Sequence, residues 1–324
     1  MDSSDVIKIG KVTLMIAIPM AVLIALQFYS PQSAWVNRGV GDDMEGAGFS
    51  GALGFFRPPG TFSFTLGVST FFGLVACFVF YFWLNRQYIK NWILILATVA
   101  LIVAIPLSIS RGLLFQVILS GLFLVLAVIR NPQYTSKILI GAVLIFVGIF
   151  ILGKLPFVST ATEVFNTRID NASGTEGGLK GTLVDRFLGE QTAPFKNAMN
   201  EPYFGYGIGM GTNAGSQLLT GEREFLISEG EWGRVIGEMG LILGLFIIVL
   251  RIAFSAKLFF SSFKNLQQGN LLPWMLISFG MIILINGGWA QPTALGFYTL
   301  AAGLLLASFK EASNHAPIYT LKQD

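Results

Sequence analysis

Arg57, Arg111, Arg186, Arg223 and Arg234, together with Glu224, Glu229 and Glu231, are the side chains of this sequence best suited to chemistry. Arginine presents a planar fork of donors that matches a phosphate bidentately. A carboxylate in a desolvated site takes a proton from a hydroxyl. Several arginines and glutamates beside one membrane face therefore suggest an acid–base site that handles a pyrophosphate. Arg111 is the most informative of them, because it alone interrupts the apolar stretch Trp92–Ile129. An arginine there either snorkels to head groups or points into a polar cavity as an anion ligand, and both readings stay open. Glu238 suits a structural role: it falls in the first turn of an apolar helix, where the dipole favours an anion, four residues after Arg234.

Other motifs carry less. Pro202-Tyr203-Phe204-Gly205-Tyr206-Gly207-Ile208-Gly209-Met210-Gly211 is glycine-rich, but its glycines recur every second residue and miss the dinucleotide spacing. It reads first as a tight turn at the membrane boundary, and second as a backbone surface for a lipid-linked phosphate or a sugar. Tyr203, Tyr206 and Trp232 read as packed interfacial aromatics. Asp42, Asp43 and Glu45 read as a solvated acidic turn. Cys77 is the single cysteine and His315 the single histidine, so an intrachain disulfide and a zinc site of several His or Cys ligands are excluded.

The elements that must position these residues are membrane helices. Of 324 residues, 53% are hydrophobic and only 12% charged, and the mean hydropathy is +0.67. A disordered chain, a coiled coil and an ordinary soluble enzyme are excluded. The net charge of +3 gives no case for nucleic acid. A crossing needs ~20 apolar residues. Val12–Phe28 and Phe64–Leu84 each supply one. Trp92–Ile129, ~57 Å long as a helix, supplies a hairpin of two (92–109 and 112–129) that turns at Ser108-Ile109-Ser110-Arg111-Gly112. Ile138–Gly153 and Val235–Leu250 follow, and Leu271–Phe309 divides at Asn286-Gly287-Gly288 into 271–289 and 293–309.

The expectation is a single all-α polytopic domain of about eight spans. Arg86, Lys90, Arg130, Lys137, Arg251, Lys257, Lys264 and Lys310 then fall on one side, which the positive-inside rule makes cytoplasmic, with both termini inside. Residues 29–63 and 154–234 face out. The second outer segment, about 80 residues long, exceeds ordinary connections and contains a short amphipathic stretch, Leu183–Met199.

The chain resembles the O-antigen ligase and Wzy-type O-antigen polymerase superfamily of bacterial envelopes. The resemblance is carried by Arg57-Pro58-Pro59-Gly60-Thr61-Phe62-Ser63-Phe64, by Ser110-Arg111-Gly112, by Arg186 followed by Glu201-Pro202-Tyr203-Phe204-Gly205-Tyr206-Gly207, and by Glu231-Trp232-Gly233-Arg234-Val235-Ile236-Gly237-Glu238-Met239-Gly240. It implies an inner-membrane glycosyltransferase that takes a polyprenyl-pyrophosphate-linked glycan and a saccharide or lipid acceptor, with no cofactor. In that setting Arg111 and Arg186 would stabilise the leaving pyrophosphate, aided by Arg57 and Arg234, and Glu231 or else Glu229 would accept the proton. Arg223 would help to bind substrate, and Tyr203, Tyr206 and Trp232 would offer stacking surfaces to the sugar. Two departures stand out. Glu224, Glu229 and Glu231 occupy the region where ligases of this type carry a histidine, and the helices are fewer than the family's ten to twelve. A transporter or flippase of lipid-linked saccharide, or a non-catalytic assembly subunit, is the competing reading.

Overall fold

A computed structural model describes residues 1–38, 49–135, 153–176, 195, 202–221, 227–228 and 230–310. Among these residues the chain is almost entirely helical. Its main elements are α1 (Ser3–Tyr29), β1 (Phe49–Ser50), β2 (Phe56–Arg57), α2 (Thr65–Leu84), α3 (Asn91–Leu107), α4 (Arg111–Arg130), α5 (Pro156–Glu176), α6 (Asn213–Thr220), α7 (Glu231–Gln267), α8 (Leu272–Asn286) and α9 (Pro292–Ser308). α1, α2, α4 and α7 are long and apolar enough to cross a membrane, and α3, α8 and α9 are shorter apolar helices. The chain is an all-α membrane protein. The expected span Ile138–Gly153, apart from Gly153, and most of Leu183–Met199 lie outside the described residues.

Helix ends follow local chemistry. α1 starts well before the apolar run because Asp2 and Asp5 form a capping box. Asp2 Oδ1 accepts the N–H groups of Ser4 (2.9 Å) and Asp5 (3.2 Å), and Asp5 accepts the Asp2 N–H. The expected hairpin turns where the sequence places it. α3 stops at Leu107, and Ser110 caps α4 by accepting the Leu113 N–H at 3.3 Å. Ile109 between them has φ +46°, a left-handed conformation unusual for a β-branched residue.

The chain divides into two compact units with interleaved segments. The first comprises residues 1–169, 259–279 and 301–324. In it α1 packs on α3 and α2, and α2 packs on α4. α2 is almost wholly buried, whereas α4 leaves Ile118, Leu122, Val125, Leu126 and Ile129 exposed. That apolar stripe suits contact with lipid. Small hydroxyls let the interior helices approach closely. Ser69 Oγ donates to Ser110 Oγ at 2.8 Å, and Ser278 Oγ to Ser120 Oγ at 3.0 Å. Cys77 lies buried between Ser120 and Ser278, as inert packing predicts.

A polar latch holds the first inter-helix loop of this unit. Asn37, 1% exposed, donates its amide to the carbonyls of Gln27 (3.1 Å), Ser30 (3.0 Å) and Pro31 (3.0 Å). Gln27 in turn donates to the carbonyls of Val36 and Gly60 and accepts the Gly60 N–H at 2.8 Å. Gly60 has φ +64°, and a Cβ there would lie 2.9 Å from both Met20 and Val68, so the Pro58-Pro59-Gly60 bend requires glycine. Asn37→Ala leaves several buried carbonyls without their donor. It should cost about 2–3 kcal/mol, seen as a lowered thermal unfolding midpoint of the purified protein. An unchanged midpoint would show that the loop is held elsewhere.

The second unit comprises residues 170–258 and 280–300. Its central feature corrects the expected sixth span. Val235–Leu250 is not one straight crossing, because Gly240 takes φ 79°, ψ 170° and breaks α7. Ile236 and Ile248 form a buried cluster with Trp232 and Leu241 packed on it. In a straight helix the two isoleucines would stand ~18 Å apart, so their contact requires the chain to reverse. A Cβ on Gly244 would meet the Ile236 backbone at 2.7 Å. Residues 231–239 thus form a short arm folded back on a long arm, 241–267, which at ~40 Å is long enough to cross a bilayer.

Candidate functional site

In the first unit, Arg111 occupies the first helical position of α4, where backbone N–H groups and the helix dipole favour an anion. Arg57 sits on β2, paired with Phe49 of β1. The β-hairpin rests on the α3–α4 turn: Ile109 Cδ1 lies 2.7 Å from where a Cβ on Gly51 would be. Arg168 of α5 ties the same hairpin down, its Nη1 donating to the carbonyls of Ser50 and Gly51 at 3.2 Å each. The Arg57-Pro58-Pro59-Gly60 segment is thereby pinned at one end by the Gly60 latch and at the other by the hairpin. Arg57, on the hairpin, and Arg111, two residues after Ile109, are both half-buried.

In the second unit, the reversal at Gly240 assembles a network of buried charges. Glu231 Oε1 accepts from Arg234 Nη2 (2.9 Å), Arg251 Nη1 (3.0 Å) and the Trp289 N–H (3.1 Å), and Oε2 accepts from Arg234 Nε (3.0 Å). Arg234 Nη1 donates to Glu238 Oε2, the pair expected from their i,i+4 spacing. Arg251 donates Nε to the Leu284 carbonyl (3.2 Å) and Nη2 to the Gly287 carbonyl (2.6 Å). These carbonyls end α8, where no helical donor remains for them. The Arg251 guanidinium also lies 4.5 Å from the Trp289 ring centroid and 5.4 Å from that of Tyr298. Two cations balance two anions, with side-chain exposures of 3% for Arg251, 5% for Glu231, 1% for Glu238 and 11% for Arg234. Burial of ionised groups is tolerable only with such pairing.

The glycine-rich strip supports this network rather than forming a cradle. The Tyr206 and Gly207 N–H groups donate to the carbonyls of Gly237 (2.8 Å) and Glu238 (3.0 Å), which the helix break leaves without helical donors. The Gly211 N–H donates to Glu238 Oε1 at 2.9 Å. A Cβ on Gly205 would lie 2.4 Å from the Glu238 carbonyl, and one on Gly211 would lie 2.6 Å from Arg234 Cγ. Glycine is needed because two backbones touch. The structural-turn reading of 202–211 agrees with these contacts, which engage the N–H groups of Tyr206, Gly207 and Gly211.

The site residues expected from the sequence are divided between the two units. Arg57 and Arg111 lie in the first unit; Glu231, Arg234, Tyr203, Tyr206 and Trp232 lie in the second. Arg186, Arg223, Glu224 and Glu229 lie outside the described residues, as do Asp42, Asp43 and Glu45. Glu231, first candidate for proton acceptor, has both oxygens engaged by donors and serves here as a strut between two arginines. Trp232 is packed rather than open: its indole N–H donates to the Ile285 carbonyl at 3.2 Å and its ring meets Phe195 edge-on. Tyr203 and Tyr206 are exposed. Arg251, assigned from the sequence to a cytoplasmic loop, is instead buried at 3.0 Å from Glu231. An arginine amid Ile248-Val249-Leu250 and Ile252-Ala253-Phe254 carried the same signal as Arg111. Compared with family models, curated proteins and solved structures, the chain matches none.

Proposed function

We propose that this chain is a glycosyltransferase of the bacterial cytoplasmic membrane, polymerising or ligating a polyprenyl-pyrophosphate-linked glycan at the outer face. It spans the membrane about eight times with both termini cytoplasmic. The observation that carries the reading is that the β-hairpin bearing Arg57 rests on the α3–α4 turn, from which Arg111 opens α4. An acceptor hydroxyl attacks the anomeric carbon, the carbon–oxygen bond to pyrophosphate breaks, and the polyprenyl pyrophosphate departs. Arg111, Arg57 and Arg186 meet the charge that develops on the leaving group. With Glu231 engaged by two arginines, Glu229 takes the hydroxyl proton. Exposed Tyr203 and Tyr206 offer rings to a sugar.

A transporter or flippase of lipid-linked saccharide is favoured by a different observation, the broken helix at Gly240 with Arg251 buried in its long arm. Broken helices and intramembrane charges are frequent along transport pathways. One experiment separates the two. Arg111→Lys keeps the charge and loses the fork, so glycan polymerisation or attachment should fall about 10²-fold with the protein still inserted. Lipid-linked glycan should then accumulate on the outer leaflet. Accumulation on the inner leaflet would support transport instead, and an unchanged surface-glycan profile would leave Arg111 a snorkelling anchor.

A further inference from the structure

The end of the first unit where α1 begins contains a cavity of about 780 Å³. It is open on one side and lined by the start of α1, the C-terminal ends of α2, α7 and α9, and the start of α8. Lys264 and Lys310 face it with Asn265, Gln268, Asn270 and Tyr88, and among the described residues none of its lining side chains is acidic. Its size falls within the ~300–1,000 Å³ of ordinary small-molecule sites.

The amides are ordered at its wall. Asn265 donates to the Ser261 carbonyl (3.0 Å), and Asn270 donates to Asn265 Oδ1 (3.3 Å) and accepts the Leu272 N–H (3.2 Å). The last of these contacts caps α8, whose positive dipole end opens on the same cavity.

We propose that this cavity binds a phosphate group. The lysines act as point charges on the phosphate, and the amide side chains engage polar substituents. Basic pockets between helix ends are also where anionic lipid head groups settle. Ile7, Leu272 and Phe309 give the cavity an apolar side on which the glycerol end of an acyl chain can lie. The phosphate therefore comes from a lipid diester, or from a free phosphate compound of the aqueous phase.

Full-length protein in nanodiscs of phosphatidylcholine, with and without phosphatidylglycerol, tests this by native mass spectrometry. The wild type should retain phosphatidylglycerol in preference to phosphatidylcholine. Lys264→Gln with Lys310→Gln should weaken that preference about 30-fold, from two lysines, and Lys264→Arg with Lys310→Arg should keep it. A second measurement needs no variant: the rates at which an amine-acylating reagent modifies Lys264 and Lys310 in the wild type. Slowing by phosphatidylglycerol supports the lipid source. Slowing by inorganic phosphate in pure phosphatidylcholine nanodiscs supports the soluble one. Equal rates under all conditions, with no lipid preference, would overturn the proposal.

Discussion

Arg251→Met should destabilise the second unit by about 3–5 kcal/mol, the range for breaking a buried ion pair by removing one partner. Among the described residues Glu231, 5% exposed, would keep only Arg234 as a cation, and the Leu284 and Gly287 carbonyls would lose the Arg251 donors. Lysine is a poor rescue, because one ammonium cannot reproduce the guanidinium's planar set of contacts to three acceptors. Adding Glu231→Gln to Arg251→Met should recover part of the loss, since an amide leaves no buried charge behind. Thermal unfolding of the purified variants checks this as a double-mutant cycle. Equal midpoints for Arg251→Met and the wild type would remove the network from the account of stability. A stable Arg251→Met that blocks glycan export would favour the transport reading.

Gly240→Ala should abolish the folded reversal of α7. At φ 79°, ψ 170° the backbone occupies a region that essentially only glycine populates, and strain alone costs about 1–3 kcal/mol. The added Cβ would also fall 1.9 Å from the Tyr203 carbonyl oxygen, so the glycine-rich strip would have to leave. Its departure would break the N–H contacts of Tyr206, Gly207 and Gly211 to the short arm. Gly221→Ala supplies a comparison. It shares the φ of +79° but lies in the left-handed helical region (ψ −2°) with nothing within 4 Å among the described residues, so it should cost only the strain of one turn residue, about 1 kcal/mol. The expected readout is rapid proteolysis within 202–211 and loss of monodisperse protein for Gly240→Ala, against near-normal behaviour for Gly221→Ala. Similar behaviour of the two variants would show that the strip does not depend on the close approach.

Much of the fold was legible because hydropathy is local. The ends of α2, α3, α4, α8 and α9 lie within a few residues of the limits read from apolar runs, and the α3–α4 turn falls at Ser108–Ser110. The early start of α1 was also present in the residues, as the Asp2–Asp5 capping box, but hydropathy gives polar residues no weight. The Arg234–Glu238 pair was legible for a related reason, since i,i+4 neighbours meet on any helix.

The reversal at Gly240 was not read in this way. Apolar residues continue on both sides of it, and a hydropathy sum is blind to direction. Gly237, Gly240 and Gly244 were visible as a cluster, but the contact that demands Gly240 comes from Tyr203, far along the chain.

By itself the sequence determined that this is a helical membrane protein, where most of its apolar helices lie, and which charged residues interrupt them. Only the tertiary structure decided that Glu231 is a strut between Arg234 and Arg251, that Trp232 is packed, and that the glycine strip spends its N–H groups on a broken helix. The physical reason is range. Burying an apolar helix depends on sums over neighbouring residues, which the order of residues contains. Pairing a buried charge depends on which distant segment returns to it, and Arg251 lies 20 residues from Glu231, ~30 Å along a straight helix. One glycine conformation reduces that distance to a 3.0 Å contact.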